Sequence, residues 1–325
     1  MPDLPDDPPV ATPGALVRVD DPDDPRLALY RDLNDPAGRM RVDTDQAVFV
    51  VEGRLAVDRL LSSGYEMRSL LVDDHQLVAA AGLVAAVRNR GVPVFAGSRA
   101  LVAGTVGFAL HRGIVAVASR PPPAGAGSVL TGAVRSARHR GAPSVVAVLE
   151  GLNDHENVGA LFRNAAAFGV AGILLDPTCA DPLYRRSIRV SVGHVLHVPF
   201  GRVTPWPAGL HDIRAAGFVV AALTPHPEEA GAAPVVDLAE LKASAAGAGR
   251  PAGIALLLGA EGPGVTAGAL AASDLAVSIP MADGVDSLNV ATAAAVACYA
   301  LEAAWTGAPA GARSGDGPGD GRGAG

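Results

Sequence analysis

Residues 145–157 read Val-Val-Ala-Val-Leu-Glu-Gly-Leu-Asn-Asp-His-Glu-Asn, and their pattern decides the architecture. Five apolar residues in a row, three of them valine, leave no polar face. A strand of that kind is covered on both sides, as in a parallel sheet layered by helices. A polar turn follows at once, and helical spacing then carries the chain to 168. The same alternation recurs downstream, with strands expected at 145–149, 172–175, 218–222, 254–258 and 275–279 and helices at 157–168, 207–216, 237–245, 266–272 and 287–305. In open parallel sheets ligands lie outside the carboxyl ends of the strands, so the residues just after the strands are the ones to interrogate.

Upstream, a second α/β pattern is shorter. Strands are expected at 47–51, 69–72, 92–95 and 114–117, with a helix from Gly53 to Ser63 carrying Leu55, Leu60 and Leu61 on one side. Asp73 or Asp74 can cap a helix that reaches Arg90 and stops at Gly91. Strands alternating with helices give a small α/β/α layer structure. The resulting division is a disordered acidic, Pro-rich tail at 1–25, a first domain at 26–120, a linker at 121–143, a second domain at 144–305 and a Gly/Ala-rich flexible tail at 306–325. After Arg120 the linker opens Pro121-Pro122-Pro123. Its Arg135, Arg138, His139 and Arg140 suit a solvated helical face or a patch facing phosphates.

The net charge of −7 over 325 residues argues at first against a nucleic-acid partner. Its location removes the objection. Residues 1–25 hold seven aspartates against Arg18, whereas residues 26–305 hold only −1. Aromatics are 4%, which disfavours broad stacking platforms for single-stranded nucleic acid. Cys179 and Cys298 are two lone thiols without a C-x-x-C, which fits buried structural cysteines in a reducing, cytoplasmic setting. The most apolar stretches, 77–87 and 287–301, are too short or too interrupted for a membrane helix, and the N-terminus lacks the features of a targeting peptide.

Three loops carry candidate chemistry. The first runs from Glu150 through Asn157 to Arg163 and Gly169. Taken alone, Asn157 fits a helix cap as well as a site residue, and Arg163, six residues on, fits a solvated position as well as one on roughly the same side of the helix. The second is Leu258-Gly259-Ala260-Glu261-Gly262-Pro263-Gly264. Its glycines permit close backbone approach to a ligand, but neither a P-loop nor Gly-x-Gly-x-x-Gly is present. The third is Ile279-Pro280-Met281-Ala282-Asp283-Gly284-Val285-Asp286-Ser287-Leu288-Asn289-Val290, in which Ser287 or Asp286 can cap the helix that follows. Asn289 is harder to place in a first helical turn, because Asn is a poor helix former.

In this order the three loops resemble the three motifs of the SpoU (TrmH) family of RNA 2′-O-ribose methyltransferases, within the SPOUT class. Arg185-Arg186-Ser187-Ile188-Arg189-Val190-Ser191-Val192-Gly193 is similar to the family's Arg-x-Ser-x-Gly stretch. Val50-Val51-Glu52-Gly53 and His111-Arg112-Gly113-Ile114-Val115-Ala116 resemble the substrate-binding domain that precedes many members. Asn164 and Ala291 stand where Ser or Thr, and Ser, are common. The resemblance implies a C-terminal α/β domain with a parallel sheet and a deep trefoil knot, an exception to the rule that chains do not thread loops. It implies S-adenosyl-L-methionine as cofactor, held in a bent form by Leu258, Gly259, Gly262, Ile279, Met281, Ser287 and Leu288, with no metal. It implies Asn157, Arg163, Glu261 and Asn289 as the catalytic cluster, an RNA substrate, ribosomal before transfer RNA, and a homodimer through the knotted domain. Two other readings compete: a non-catalytic RNA-binding protein of the same fold, and a nicotinamide-dependent oxidoreductase, which the missing dinucleotide fingerprint disfavours.

Overall fold

In the computed structural model, which describes residues 12–31, 33, 46–107, 113–226, 233–245 and 252–306, the chain builds two sheets. The first contains β1 (Leu16–Arg18), β2 (Val48–Glu52), β3 (Met67–Asp73), β4 (Val94–Gly97) and β5 (Ile114–Ser119) in the order β1-β4-β3-β5-β2. β1, β4 and β3 run parallel, and β5 is antiparallel to both of its neighbours. Between these strands lie α1 (Arg54–Ser62), α2 (Asp74–Ala79), α3 (Ala81–Asn89) and α4 (Arg99–Val106).

The second sheet contains β6 (Ser144–Glu150), β7 (Gly172–Leu175), β8 (Phe200–Arg202), β9 (Phe218–Leu223), β10 (Val235–Asp237), β11 (Gly253–Gly259) and β12 (Leu275–Ser278) in the order β10-β12-β9-β11-β6-β7-β8, with every pair parallel. Its helices are α5 (Ala126–Arg140), α6 (His155–Ala167), α7 (Arg185–Val190), α8 (Leu210–Ala215), α9 (Leu238–Ala245), α10 (Ala267–Ala271) and α11 (Val290–Thr306). The all-apolar strands are explained by two cores, since alternate residues of a strand face opposite sides. Val145, Ala147, Leu149, Leu256 and Leu258 pack with Val158, Leu161 and Phe162 of α6 and Ala294, Ala297 and Leu301 of α11. Val146, Val148, Ala255 and Leu257 pack with Leu130 of α5, Ile213 of α8 and Leu270 of α10 on the other face.

The first of these cores continues into the first sheet through Phe49, Val51, Leu70 and Val72, so the two domains share buried surface. Arg185 pairs with Glu52 at 3.1 Å across the junction. A Cβ on Gly193 would lie 2.9 Å from the Cα of Ala56, so α1 rests directly on the chain after α7.

Several expectations are corrected. The tail at 1–25 is not disordered along its whole length: β1 extends the first sheet beside β4, and Leu27 and Tyr30 just beyond it are fully buried. An edge strand needs only backbone hydrogen bonds, which an acidic, Pro-rich composition does not preclude. Residues 1–11 and 307–325, where most of the tails lie, fall outside the described residues. The linker at 121–143 is mostly α5, a 15-residue helix burying Val129, Leu130, Ala133 and Ala137. Its small alanines and glycines hid an apolar stripe; Leu130 alone contributes about 1.5–3 kcal/mol on burial. In α1 the buried side is Ala56, Val57 and Leu60, while Leu55 is exposed. The helix expected up to Arg90 breaks at Ala80, whose side chain is buried. The edge strands β8 and β10 and the helix α4 escaped the pattern reading.

Candidate active site

The strand order of the second sheet reverses beside β6: β7 and β8 lie to one side, and β11 and β9 to the other. Such a switch point opens a crevice at the carboxyl ends of the strands. A cavity of about 680 Å³ lies there, lined by Leu223 and Thr224 at the end of β9, by Leu258–Val265 after β11, and by Ile279, Met281 and Asp286–Val290 after β12. All seven residues expected to hold a cofactor line it. Thr224, His226, Asp286 and Val290 line it too, without having been expected as ligand contacts. Thr224 and His226 carry no motif, and only their place after a strand could have marked them.

The loop after β11 folds back on itself. The amide of Gly264 donates to the carbonyl of Ala260 at 2.9 Å. A Cβ on Gly259 would stand 2.1 Å from the carbonyl carbon of Gly264 and 2.3 Å from the nitrogen of Val265. Glycine at 259 therefore serves the loop's own closure. Gly262 and Gly264 take positive φ values of 84° and 69°, which L side chains rarely adopt.

Three of the four expected catalytic residues are hydrogen-bonded together. Asn289 donates its side-chain amide to Asn157 Oδ1 at 3.0 Å and to Glu261 Oε1 at 2.6 Å. Its own Oδ1 accepts from the amides of Ala291 and Thr292. Asn289 is thus the N-cap of α11, replacing the expected Ser287 or Asp286, and this resolves the difficulty of an Asn in the first turn. The cap of α6 is Asp154, which accepts from the amide of Glu156, and Asn157 is left free to bond Asn289.

Arg163 does not join them. Six helical residues turn about 600°, leaving its side chain roughly 120° from that of Asn157. Arg163 is exposed and makes no hydrogen bond or ion pair among the described residues. The residue that follows Asn157 onto its face is Asn164, which donates to the carbonyl of Ala291 at 2.8 Å and ties α6 to α11. The helix that carries Arg163 packs against the turn at His194–Leu196. There burial, then Arg59, Arg163 and His197, hold the His194 imidazole below its ordinary pKa. Cys179 is buried, its thiol pushed up to about 12 chiefly by burial, in keeping with a structural role. Among the described residues no cluster of His, Cys, Asp or Glu could hold a metal ion, and no helix is long and apolar enough to cross a membrane.

Residues 144–299 match the model of the SpoU rRNA methylase family. The chain is 43% identical over 281 residues to an uncharacterized tRNA/rRNA methyltransferase of Mycobacterium tuberculosis, an alignment spanning 86% of this chain and 90% of that one. This chain belongs to the SpoU methylase family. Among solved structures, an AdoMet-bound rRNA methyltransferase from Sinorhizobium meliloti superposes with a TM-score of 0.66 at 21% identity, covering 88% of this chain and 97% of that one. The SpoU methyltransferase AviRb from Streptomyces viridochromogenes, in complex with AdoMet, superposes at 0.66 with 24% identity, covering 85% and 97%. For the SpoU methylase described here the family match begins at β6 and ends inside α11, so it coincides with the domain that carries the cavity.

Proposed function

We propose that this protein transfers a methyl group from S-adenosyl-L-methionine to a ribose 2′-hydroxyl of structured RNA, with ribosomal RNA as the substrate before transfer RNA. The observation that carries the reading is the bonded group Asn157–Asn289–Glu261, two members of which line the cavity. The cavity's size lies within the range of small-molecule sites. Its lining suits the cofactor: Leu258, Ile279, Met281 and Leu288 offer apolar surface to an adenine, and Glu261 and Asp286 offer negative charge to ammonium and sulfonium groups. When bound, that group supplies an activated methyl.

The chain's own residues position the rest. A ribose hydroxyl is a weak nucleophile, and holding it in line with the methyl supplies much of the rate. Asn289 fixes one oxygen of Glu261, whose carboxylate keeps lone pairs to orient a substrate group or accept its proton. Arg163 stands outside the bonded group, and its exposed guanidinium suits a phosphate of the RNA backbone beside the target ribose; being always protonated, it is not the base. The 2′-hydroxyl distinguishes RNA from DNA at such a site.

The same reading includes a trefoil knot formed by the chain after β11 and a homodimer in the cytoplasm. Exposed Val296 and Tyr299 on α11, with Phe168 against Tyr299 at 6.1 Å, support a subunit contact on that helix. The experiment that tests the activity is transfer of labelled methyl groups onto total RNA, followed by mapping of the product. Label at one ribose of ribosomal RNA is the expected result; label on a base, or none, overturns the reading.

A further inference from the structure

Glu150 ends β6, is 4% exposed, and lines no part of the cavity. Its carboxylate nevertheless gathers donors from two distant segments. Oε1 accepts from the indole Nε1 of Trp206 at 2.6 Å and from the hydroxyl of Thr266 at 2.7 Å, and Oε2 accepts from the amide of Thr266 at 2.9 Å. Thr266 follows Val265, the last residue of the cavity loop, and caps α10. In the parallel register Glu150 also stands opposite Gly259, where that loop begins. Glu150 therefore sits beside the loop's start and grips its end.

From this geometry we infer that Glu150 is a positioning residue, its buried carboxylate setting the Gly259–Val265 loop for the cofactor and coupling it to Trp206. The inference rests on the reading of the cavity as the S-adenosylmethionine site. A buried carboxylate is tolerated because three donors satisfy it. Glutamine at the same place keeps the shape but turns an N–H toward one of those donors, which leaves a buried group unpaired.

The test uses the full chain. Trp206 and Trp305 are its two tryptophans, so Trp305→Phe makes Trp206 the sole indole reporter. S-adenosylmethionine is titrated by calorimetry and by Trp206 emission into the wild type, Glu150→Gln and Leu288→Asp. The expected result is about a tenfold weaker cofactor affinity in Glu150→Gln, with turnover at saturating cofactor within about twofold of wild type. Cofactor-dependent Trp206 emission is expected in the Trp305→Phe protein and is lost when Glu150→Gln is added. Unchanged affinity in folded Glu150→Gln, with Leu288→Asp weakened, overturns the positioning role alone. Unchanged affinity in both variants overturns the cavity reading and the inference with it. Should Glu150→Gln fail to fold, Thr266→Val, which removes one of the three donors, decides: weakened cofactor affinity supports the role and unchanged affinity overturns it.

Discussion

Asn289 and Glu261 lie 28 residues apart in sequence, yet the amide of the first meets the carboxylate of the second at 2.6 Å. The same Asn289 side chain caps α11 through its oxygen. One residue thus starts a helix and holds a carboxylate at the mouth of the cavity, and the two roles can be separated by substitution. Asn289→Asp keeps the capping oxygen, loses the amide donor and sets a second carboxylate against Glu261. Asn289→Ala loses both, including a cap worth about 1 kcal/mol. Thermal unfolding is expected to fall in the alanine variant, while labelled methyl transfer falls at least about tenfold in both. An aspartate variant with wild-type turnover contradicts the positioning role.

Arg163 offers the opposite separation. Its side chain is exposed and bonds nothing among the described residues, so Arg163→Ala is expected to change stability by no more than about 0.5 kcal/mol. The same substitution is expected to abolish methyl transfer while calorimetry shows cofactor affinity retained. Turnover near wild type removes Arg163 from the site.

The contrast between these two residues shows how much of the site the sequence revealed. The parallel sheet was legible because buried strands read as apolar runs, and the loops after β6, β11 and β12 followed from it. The bond from Asn289 to Glu261 was not legible, because the chain crosses to another strand between them and spacing carries no distance. The outward direction of Arg163 was in fact available, since six residues at 100° each do not return to the same face. α5 stayed hidden because alanine and glycine give a weak apolar period, and β1 because an edge strand asks little of its side chains. Glu150 opens the first candidate loop, but its burial was not legible: a carboxylate ending an apolar strand reads as an exposed loop residue until its partners are seen.

Gly259→Ala tests the loop. The added Cβ would stand 2.1–2.3 Å from the backbone of Gly264 and Val265, and neither backbone segment can yield as a side chain would. Loss of measurable cofactor binding by calorimetry is expected. Gly132→Ala provides the control, since that residue lies in the middle of α5 with nothing within 4 Å of the added carbon. A helix-interior glycine costs roughly 0.5–1 kcal/mol relative to alanine, so Gly132→Ala is expected to raise the denaturation midpoint and leave cofactor binding unchanged. Intact binding in Gly259→Ala contradicts the loop's part in the site.

His194 gives the protein an acid-side dependence of determined sign. Burial, followed by Arg59, Arg163 and His197, lowers its pKa from the ordinary value of 6.5. The unfolded chain therefore binds the proton more readily than the folded one, and stability rises with pH across the interval between the two pKa values. The contribution is fully present above about 6.5 and is lost as the pH falls through the folded value. His194→Gln, which cannot titrate, is expected to flatten that decline while leaving the curve above pH 7 parallel to wild type. Urea midpoints measured from pH 5 to 7.5 read the difference. An unchanged acid-side slope in the variant assigns the decline to other groups.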